Sequence, residues 1–227
     1  MNKSSVCVLI PAYNEEKRIG GVIEEVQRRG FKVIAVDDGS TDGTAQAIKN
    51  SGADFISSTV NEGKGAAIRK GFDWVVQNDY AAVIVMDADG QHSPDQLDDF
   101  LRALGSGDAD VVVGNRMNDP KGMPLIRRCT NRGMSGVISL IAGQTVPDTQ
   151  CGYRALTQRA LQKIRLHTDR FEIESEMLMV AGRKGLRIKS VPIVSVYNDE
   201  TSHIRPWQDT IRFMRFLFKF IFMPRER

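Results

Sequence analysis

The strongest constraint on the fold is the stretch from Val83 to His92, where four apolar residues lead directly into Asp87 and Asp89. The apolar run has the length and composition of a buried parallel strand, and open α/β sheets bind their ligands beyond the carboxyl ends of such strands. Two carboxylates this close repel each other unless a cation or a donor lies between them. A hard divalent ion shared with substrate phosphates is the natural occupant. A solvated turn at Asp89–Gly90 is the other interpretation of the same spacing.

Apolar runs alternate with helical periodicity through the first half of the chain. The predicted strands cover residues 6–10, 31–36, 54–57, 82–86 and 111–113. The predicted helices cover residues 14–29, 42–50, 64–77 and 93–104. The alternation predicts an α/β fold with a doubly wound, mostly parallel central sheet flanked by helices.

The second half is less regular. A helix is predicted over 126–142, a short strand over 171–173 that leads into a helix through Arg183, and a strand over 188–196. Pro192 within that last strand indicates an edge position, because proline cannot donate to a ladder.

Composition narrows the functional classes. A chain of 227 residues is long enough for one large domain, and a net charge of +3 gives no indication of nucleic-acid binding. Cys7, Cys129 and Cys151 have no metal-ligand spacing and are expected to be free thiols in a reducing compartment. Neither a signal peptide nor a stretch of the roughly 18 apolar residues that a span needs is visible.

Polar clusters follow the predicted strands at residues 11–15, 37–40, 87–89 and 114–116. Parallel strands would bring these clusters to one edge of the sheet, although each cluster alone could be a turn. Acids there can accept from a base or a ribose hydroxyl while a metal handles a pyrophosphate. Neither a Gly-x-Gly-x-x-Gly motif nor a phosphate loop is present, which disfavours dinucleotide redox enzymes and phosphate-loop ATPases.

Seven motifs in order resemble those of the family 2 glycosyltransferases of the GT-A fold, a Rossmann-like fold. They are Pro11–Glu15, Val36–Thr44, Asn61–Gly65, Met86–His92, Val112–Arg116, Asp148–Arg154 and Phe171–Met177. Within that family the chain is most similar to the polyprenyl-phosphate glycosyltransferases, typified by dolichol-phosphate mannose synthase. The resemblance covers essentially residues 5–215.

The resemblance implies an inverting enzyme with a nucleotide diphosphate sugar, such as GDP-mannose or a UDP-hexose, as donor. The residues implied to bind the nucleotide sugar are Pro11, Tyr13, Glu15, Asp37, Asp38, Asp42, Lys64 and Asp87. Asp87, Asp89 and Gln91 are implied to hold Mg²⁺ or Mn²⁺, and the metal would neutralise charge on the departing nucleotide.

The acceptor is implied to be a polyprenyl phosphate. Arginine forks match phosphate oxygens bidentately, so Arg127 and Arg132 are predicted to bind the acceptor phosphate, with a solvated helix face as the alternative. The resemblance adds Arg116, which would bind phosphate on the donor or acceptor, and His203 and Arg205 in a basic loop that closes the site. The predicted catalytic residues are Asp89, Arg116 and Glu174, with Glu174 either a positioning residue or a general base. An acceptor phosphate that is already anionic needs no base. Cys151 has no adjacent histidine to activate it and is expected to be buried.

The C-terminus carries a basic stripe on an otherwise apolar helix. The expected division is a GT-A domain over residues 1–205 and an amphipathic helix over 206–227. Such a helix fits a membrane surface, while packing on the core or on a second subunit is the alternative. The expected localisation is cytoplasmic and peripheral, at the inner face of the membrane, with a homo-oligomer possible.

Two other functions stay open from the sequence. One is a glycosyltransferase that acts on a hydroxyl of a glycan or glycolipid, for which a required acid such as Glu174 would be the sign. The other is a non-catalytic scaffold that binds a nucleotide sugar.

Overall fold

The structure is a computed structural model that describes residues 1–120, 122–194 and 206–222. Contacts divide the chain into two compact units, residues 1–197 and residues 198–227. In the first unit the strands are β1 (Val6–Ala12), β2 (Lys32–Asp37), β3 (Asp54–Ser57), β4 (Ala82–Val85), β5 (Val111–Asn115), β6 (Arg154–Thr157) and β7 (Ile188–Pro192). The helices are α1 (Ile19–Arg28), α2 (Thr44–Asn50), α3 (Lys64–Gln77), α4 (Leu97–Gly105), α5 (Leu125–Ala142), α6 (Gln158–Lys163) and α7 (Ile173–Arg183).

The strands form one seven-stranded sheet in the order β3-β2-β1-β4-β6-β5-β7. All neighbouring pairs are parallel except those of β6, which is antiparallel to both β4 and β5. The predicted α/β fold with a mostly parallel sheet is therefore confirmed, and β7 is an edge strand as Pro192 indicated. Every residue of β1, β4 and β5 is buried, which matches the unbroken apolar runs of these strands.

Several predicted boundaries are wrong, each for a local reason. β1 continues through Pro11, because its pairing with β4 has ended at Leu9 and the missing N–H lies beyond that ladder. Helix α1 begins at Ile19 rather than near Asn14, since the residues between them bond to the loop after β2. Phe171–Ile173 is not a strand: residues 171 and 172 form a turn and Ile173 begins α7.

Two elements were missed by the sequence analysis, β6 and α6. Strand β6 has only four residues and begins with a charged one, Arg154, so it lacks the apolar run of its neighbours. It lies between β4 and β5 and runs in the opposite direction. The residues that precede β6 therefore lie at the edge where the parallel strands end.

The second unit contains one described helix, α8 (Pro206–Phe222). Its phenylalanine rings contact one another along the helix, with centroids of Phe216 and Phe220 6.0 Å apart. Among the described residues, no helix combines the length and apolarity that crossing a membrane requires. The amphipathic helix was predicted to reach residue 227, and the residues after 222 lie outside the described part of the chain.

Candidate active site

The loops after β1 and β2 are joined at the carboxyl edge of the sheet. The backbone N–H of Asn14 donates to Ser40 Oγ at 2.9 Å, and the N–H of Thr41 donates back to Asn14 Oδ1 at 2.9 Å. The N–H of Gly43 donates to Glu16 Oε2 at 2.8 Å. Asn14 adopts a left-handed backbone conformation, with φ of 55°. The polar clusters of these two loops thus form one continuous rim.

The aspartates of this rim shape its loops. Asp37 accepts from the backbone N–H of Ser40 at 3.1 Å. Asp38 accepts from the N–H groups of Glu62 and Gly63, at 3.0 and 2.7 Å. Asp38 of the predicted nucleotide site therefore also holds the loop that leads into α3.

The other predicted nucleotide-binding residues of the rim differ in exposure. Asp42 caps the start of α2 by accepting from the N–H of Thr44 at 3.0 Å. Pro11 is buried, Glu15 is half-buried and Tyr13 is 44% exposed. Tyr13 thus offers an accessible ring at the edge of this rim, and contact with a nucleotide stays a prediction for all of these residues.

A half-buried ion cluster joins β4, α3 and α7. Lys64 Nζ lies 2.6 Å from Asp87 Oδ1 and 2.8 Å from Glu174 Oε1. Burial alone would raise the pKa of Asp87, but the Lys64 ammonium and the nearby His92 hold that pKa well below its usual range. Burial would lower the pKa of Lys64, yet its two carboxylate partners raise it. Three predicted site residues are thus brought together as charged groups.

Asp89 lies in the same electrostatic environment as Asp87. Burial, and then the charge of Asp87, raise the pKa of Asp89 above its usual value. The backbone N–H of Gln91 donates to Asp89 Oδ1 at 2.9 Å, which holds the backbone after Asp89 against its carboxylate. Two carboxylates that repel each other offer the oxygen ligands that a hard divalent cation prefers.

The described residues do not gather three or more acidic, histidine or cysteine side chains into a complete metal cage. Mg²⁺ is commonly held by one or two carboxylates together with substrate phosphates. The pair Asp87 and Asp89 therefore fits a metal whose remaining ligands come from a bound diphosphate.

Gly152 allows the loop before β6 to approach this cluster. A Cβ atom placed on Gly152 would lie 2.4 Å from Asp87 Oδ2 and 3.1 Å from Lys64 Nζ. The antiparallel insertion of β6 places this glycine at the carboxyl end of β4. Sequence reasoning included Gly152 in a motif but missed this contact, because it depends on a strand that was not predicted.

His92 was also missed as a site residue. Its Nε2 atom lies 3.6 Å from Asp87 Oδ2, and its ring lies 5.0 Å from the ring of Tyr153. The side chain is buried, and within the described residues its Nδ1 atom has no hydrogen-bond partner. The signal available in the sequence was its position five residues after Asp87, within the same motif.

Arg116 is buried in a second ion pair. Its Nε and Nη2 donate to the two carboxylate oxygens of Asp148 at 2.7 and 2.9 Å, and Asn131 Nδ2 donates to the same carboxylate at 2.7 Å. Burial would raise the pKa of Asp148, but Arg116 and Asn131 hold it below its usual value. The predicted phosphate contact of Arg116 stays a prediction, since two of its donors are already engaged.

Arg154 fixes the loop that connects these groups. It is 1% exposed and donates to the backbone carbonyls of Thr149, Cys151 and Glu174. The loop from Asp148 to Gly152 is therefore tied to the first turn of α7. Cys151 within it is buried, as expected, and burial raises the pKa of its thiol to about 12.

The predicted acceptor residues are only partly described. Arg127 and Arg132 are exposed on α5, whose buried face carries Asn131 next to Asp148. His203 and Arg205 lie outside the described residues.

Comparison with known proteins identifies the family. The model of glycosyl transferase family 2 matches residues 7–165. A UDP-N-acetylglucosamine–dolichyl-phosphate N-acetylglucosaminyltransferase from Methanococcus voltae is 32% identical over 217 residues, with 86% of each chain covered. A polyprenol monophosphomannose synthase from Mycolicibacterium smegmatis is 30% identical over 200 residues, which cover 82% of this chain and 75% of that protein.

A solved structure shares the fold. The glucosyl-3-phosphoglycerate synthase of Mycobacterium tuberculosis, crystallised with Mn²⁺, UDP and phosphoglyceric acid, superposes with a TM-score of 0.74 at 20% identity. The match covers 99% of this chain and 81% of that one. The likeness identifies the GT-A architecture.

Proposed function

This chain belongs to glycosyl transferase family 2, and within that family we propose that it transfers a sugar from a nucleotide diphosphate sugar to a polyprenyl phosphate. The observation that carries the proposal is the cluster at the end of β4, where Asp87, Asp89 and Lys64 lie together. The relatives from Methanococcus and Mycolicibacterium, whose names specify dolichyl or polyprenol phosphate acceptors, support the acceptor class.

The donor would lie along the rim formed by the loops after β1 and β2. Tyr13 offers an exposed ring for the base. Pro11, Glu15, Asp37, Asp38 and Asp42 would form the surface for base and ribose. A guanine or uracil nucleotide is equally compatible with this surface, so GDP-mannose and UDP-hexoses are both candidates.

Asp87, Asp89 and Gln91 would hold Mg²⁺ or Mn²⁺ at the diphosphate. The repelling carboxylates described above fit a divalent cation, which when bound supplies charge neutralisation to the leaving nucleotide. The Mn²⁺ and UDP of the crystallised neighbour are consistent with such a site. Lys64, held between Asp87 and Glu174, would keep a positive charge beside the departing phosphates.

The acceptor phosphate would attack the anomeric carbon from the side opposite the nucleotide, which inverts the configuration. That phosphate is already ionised near neutral pH and needs no general base. Glu174 then serves to position Lys64, with which it is paired at 2.8 Å. Arg127 and Arg132, with Arg116, His203 and Arg205, would orient the acceptor phosphate. Catalysis would come chiefly from positioning and charge stabilisation.

The lipid acceptor requires the enzyme to work at a membrane. Helix α8 carries Arg215 and Lys219 among apolar residues, which is the composition of an interfacial helix. We infer that residues 206–227 attach the GT-A domain peripherally to the inner face of the cytoplasmic membrane.

A donor screen tests the proposal. The purified chain is incubated with polyprenyl phosphate, Mg²⁺ or Mn²⁺, and a panel of nucleotide sugars, and the lipid product is detected by mass. We expect one donor class to give a glycosylated lipid phosphate, and chelation of the metal to stop the reaction. Transfer only to hydroxyl acceptors would identify the hydroxyl-directed alternative. Donor binding without transfer to any acceptor would identify a non-catalytic scaffold.

A further inference from the structure

Helix α5 has an apolar face that points away from the protein. Its buried positions are Asn131, Ser135, Ile138 and Ala142, which lie on one side of the helix. At 3.6 residues per turn, the opposite side presents Leu125, Ile126, Cys129, Gly133, Gly136, Val137 and Leu140, with Thr130 at one edge. Leu125, Ile126 and Leu140 are 75%, 82% and 84% exposed. A surface helix of a globular protein normally places polar residues on this side.

The charges of α5 are of one sign. The helix contains Arg127, Arg128 and Arg132 and has no acidic residue over its 18 positions. By the same helical geometry, Arg132 borders the apolar face, while Arg128 and Arg127 lie further round toward the buried side, one on each flank of the helix. Long cationic side chains at the borders of an apolar face can extend to lipid headgroups while their stems cover apolar surface.

We propose that the outward face of α5 lies on an anionic lipid surface, with Ile126 and Leu140 entering the interface and the arginines facing lipid phosphates, including the phosphate of a polyprenyl acceptor. Apolar centre, basic borders and absence of acids are the properties of helices that bind membrane interfaces. A second copy of this chain fits less well, because an isologous pairing would bring arginines near a helix that has no carboxylate to receive them.

The buried face of α5 connects this surface to the candidate active site. Asn131 Nδ2 donates to Asp148 at 2.7 Å, and Ser135 Oγ contacts Thr149 Oγ1 at 3.1 Å. The same loop continues to Gly152 beside Asp87. Under the proposed function, contact with lipid at α5 would bring a membrane-embedded acceptor close to the site. The lipid contact itself requires no substrate and can be tested separately.

Cys129 provides a native reporter on this face. It is exposed, whereas Cys7 and Cys151 are 0% exposed and burial raises the pKa of both thiols to about 12. A nitroxide on Cys129 of the full chain is examined by EPR with phosphatidylcholine vesicles that contain or lack phosphatidylglycerol. We expect collision with oxygen to rise and collision with a water-soluble nickel chelate to fall only on the anionic vesicles. The effect should weaken with salt.

Two controls make the experiment specific. A label at Gln46→Cys in a Cys129→Ser background lies on α2, which packs on β2 and β3 at the sheet edge opposite α7 and β7, and should stay in water. Ile126→Gln with Leu140→Gln should weaken vesicle binding by about tenfold, since burial of each apolar side chain is lost. Val60→Gln, which replaces another exposed apolar residue (62% exposed), should not.

Three results would overturn the proposal. The first is a Cys129 label that stays in water on vesicle-bound protein. The second is unchanged vesicle binding of the Ile126→Gln, Leu140→Gln variant. The third is shielding of the Cys129 label from the nickel chelate that grows with protein concentration in the absence of vesicles. The last would identify a second copy as the occupant. Transfer to a short, water-soluble prenyl phosphate by a protein that fails these tests would leave the proposed function standing.

Discussion

Lys64 Nζ lies 2.8 Å from Glu174 Oε1, and this ion pair joins the first turn of α3 to the first turn of α7 across 110 residues of chain. The same ammonium contacts Asp87 at 2.6 Å. Glu174 is thereby held against a cation at one of its two carboxylate oxygens. Under the proposed function, this pairing fits a positioning role for Glu174, and a variant can test that role against a general base.

Glu174→Gln should lower kcat by about tenfold or less and leave the acid limb of the pH–rate profile in place, because that limb would come from the acceptor phosphate. Loss of a true general base costs about 10²- to 10⁴-fold and would remove the limb. Glu176→Gln is the matched control in the same helix. Glu176 accepts from the N–H groups of His167 and Thr168, so its change should reduce stability more than it alters the pH profile.

Asp89→Ala should abolish turnover and leave the fold intact. Removal of one of two paired carboxylates weakens the site for a divalent cation, and burial and the charge of Asp87 already raise the pKa of Asp89. Turnover is measured at saturating Mg²⁺ or Mn²⁺, and folding by circular dichroism. Asp73→Ala, at an exposed position of α3, is expected to remain active. Full activity of a folded Asp89→Ala protein would exclude a metal role for this residue.

Gly152→Ala should damage the site by steric conflict alone. The new Cβ would lie 2.4 Å from Asp87 Oδ2, so either the loop or the carboxylate must move. We expect weaker Mn²⁺ binding, measured by EPR with bound UDP, and reduced turnover. Gly21→Ala has open space around its Cβ within α1 and should be neutral or stabilising by up to about 1 kcal/mol. Equal behaviour of the two variants would contradict the close approach.

Asp148→Asn should destabilise the protein by about 3–5 kcal/mol, because buried Arg116 loses the carboxylate that accepts from its Nε and Nη2. The pKa of Asp148 is lowered in the folded state. Its stabilising contribution is therefore present above the unfolded carboxyl pKa of about 4 and lost as the pH falls through the lower folded value. Urea unfolding over a pH series should show a flatter acid dependence in the variant. Asp108→Asn, at an exposed pair with Lys189, should change little.

Arg127→Ala and Arg132→Ala should raise the acceptor KM about 10- to 150-fold if each arginine makes one charge-assisted phosphate contact worth about 1.5–3 kcal/mol. The donor KM should change far less. Arg28→Ala, which removes an exposed arginine from α1, is the control. Equal losses for donor and acceptor would assign these arginines to the nucleotide site or to structure.

The sequence predicted the elements whose information is local. The bounds of β3 and α3 match the prediction residue for residue, and Ser93 accepts from the N–H of Asp95 as an N-cap before Pro94. The carboxyl-edge clusters followed from strand direction alone. The clustering of Asp87 with Lys64 could be expected from motif order, but its distances could not.

The elements that were missed or wrongly predicted depend on tertiary contacts or on the first turn of a helix. β6 is held by pairing with β4 and β5 and by the buried contacts of Arg154, none of which leaves a local apolar pattern. Phe171–Ile173 alternates like a strand, yet Glu174 and Glu176 in the first turn of α7 favour a helix start through the helix dipole. Gly152 reaches Asp87 only through the position of β6, and the ring of His92 packs on Tyr153, the residue before that strand.

The placement of β6 between β4 and β5 also sets the order in which the strands can pair during synthesis. The strands β3, β2, β1 and β4 can pair as soon as Val85 has left the ribosome, but the free edge of β4 has no partner until Arg154–Thr157 is made. During that interval β4 exposes an unpaired, fully apolar edge of the kind that invites misassociation. A truncated polypeptide that ends before β6 would therefore carry most of the nucleotide rim, lack Gly152 and Glu174, and be prone to aggregate.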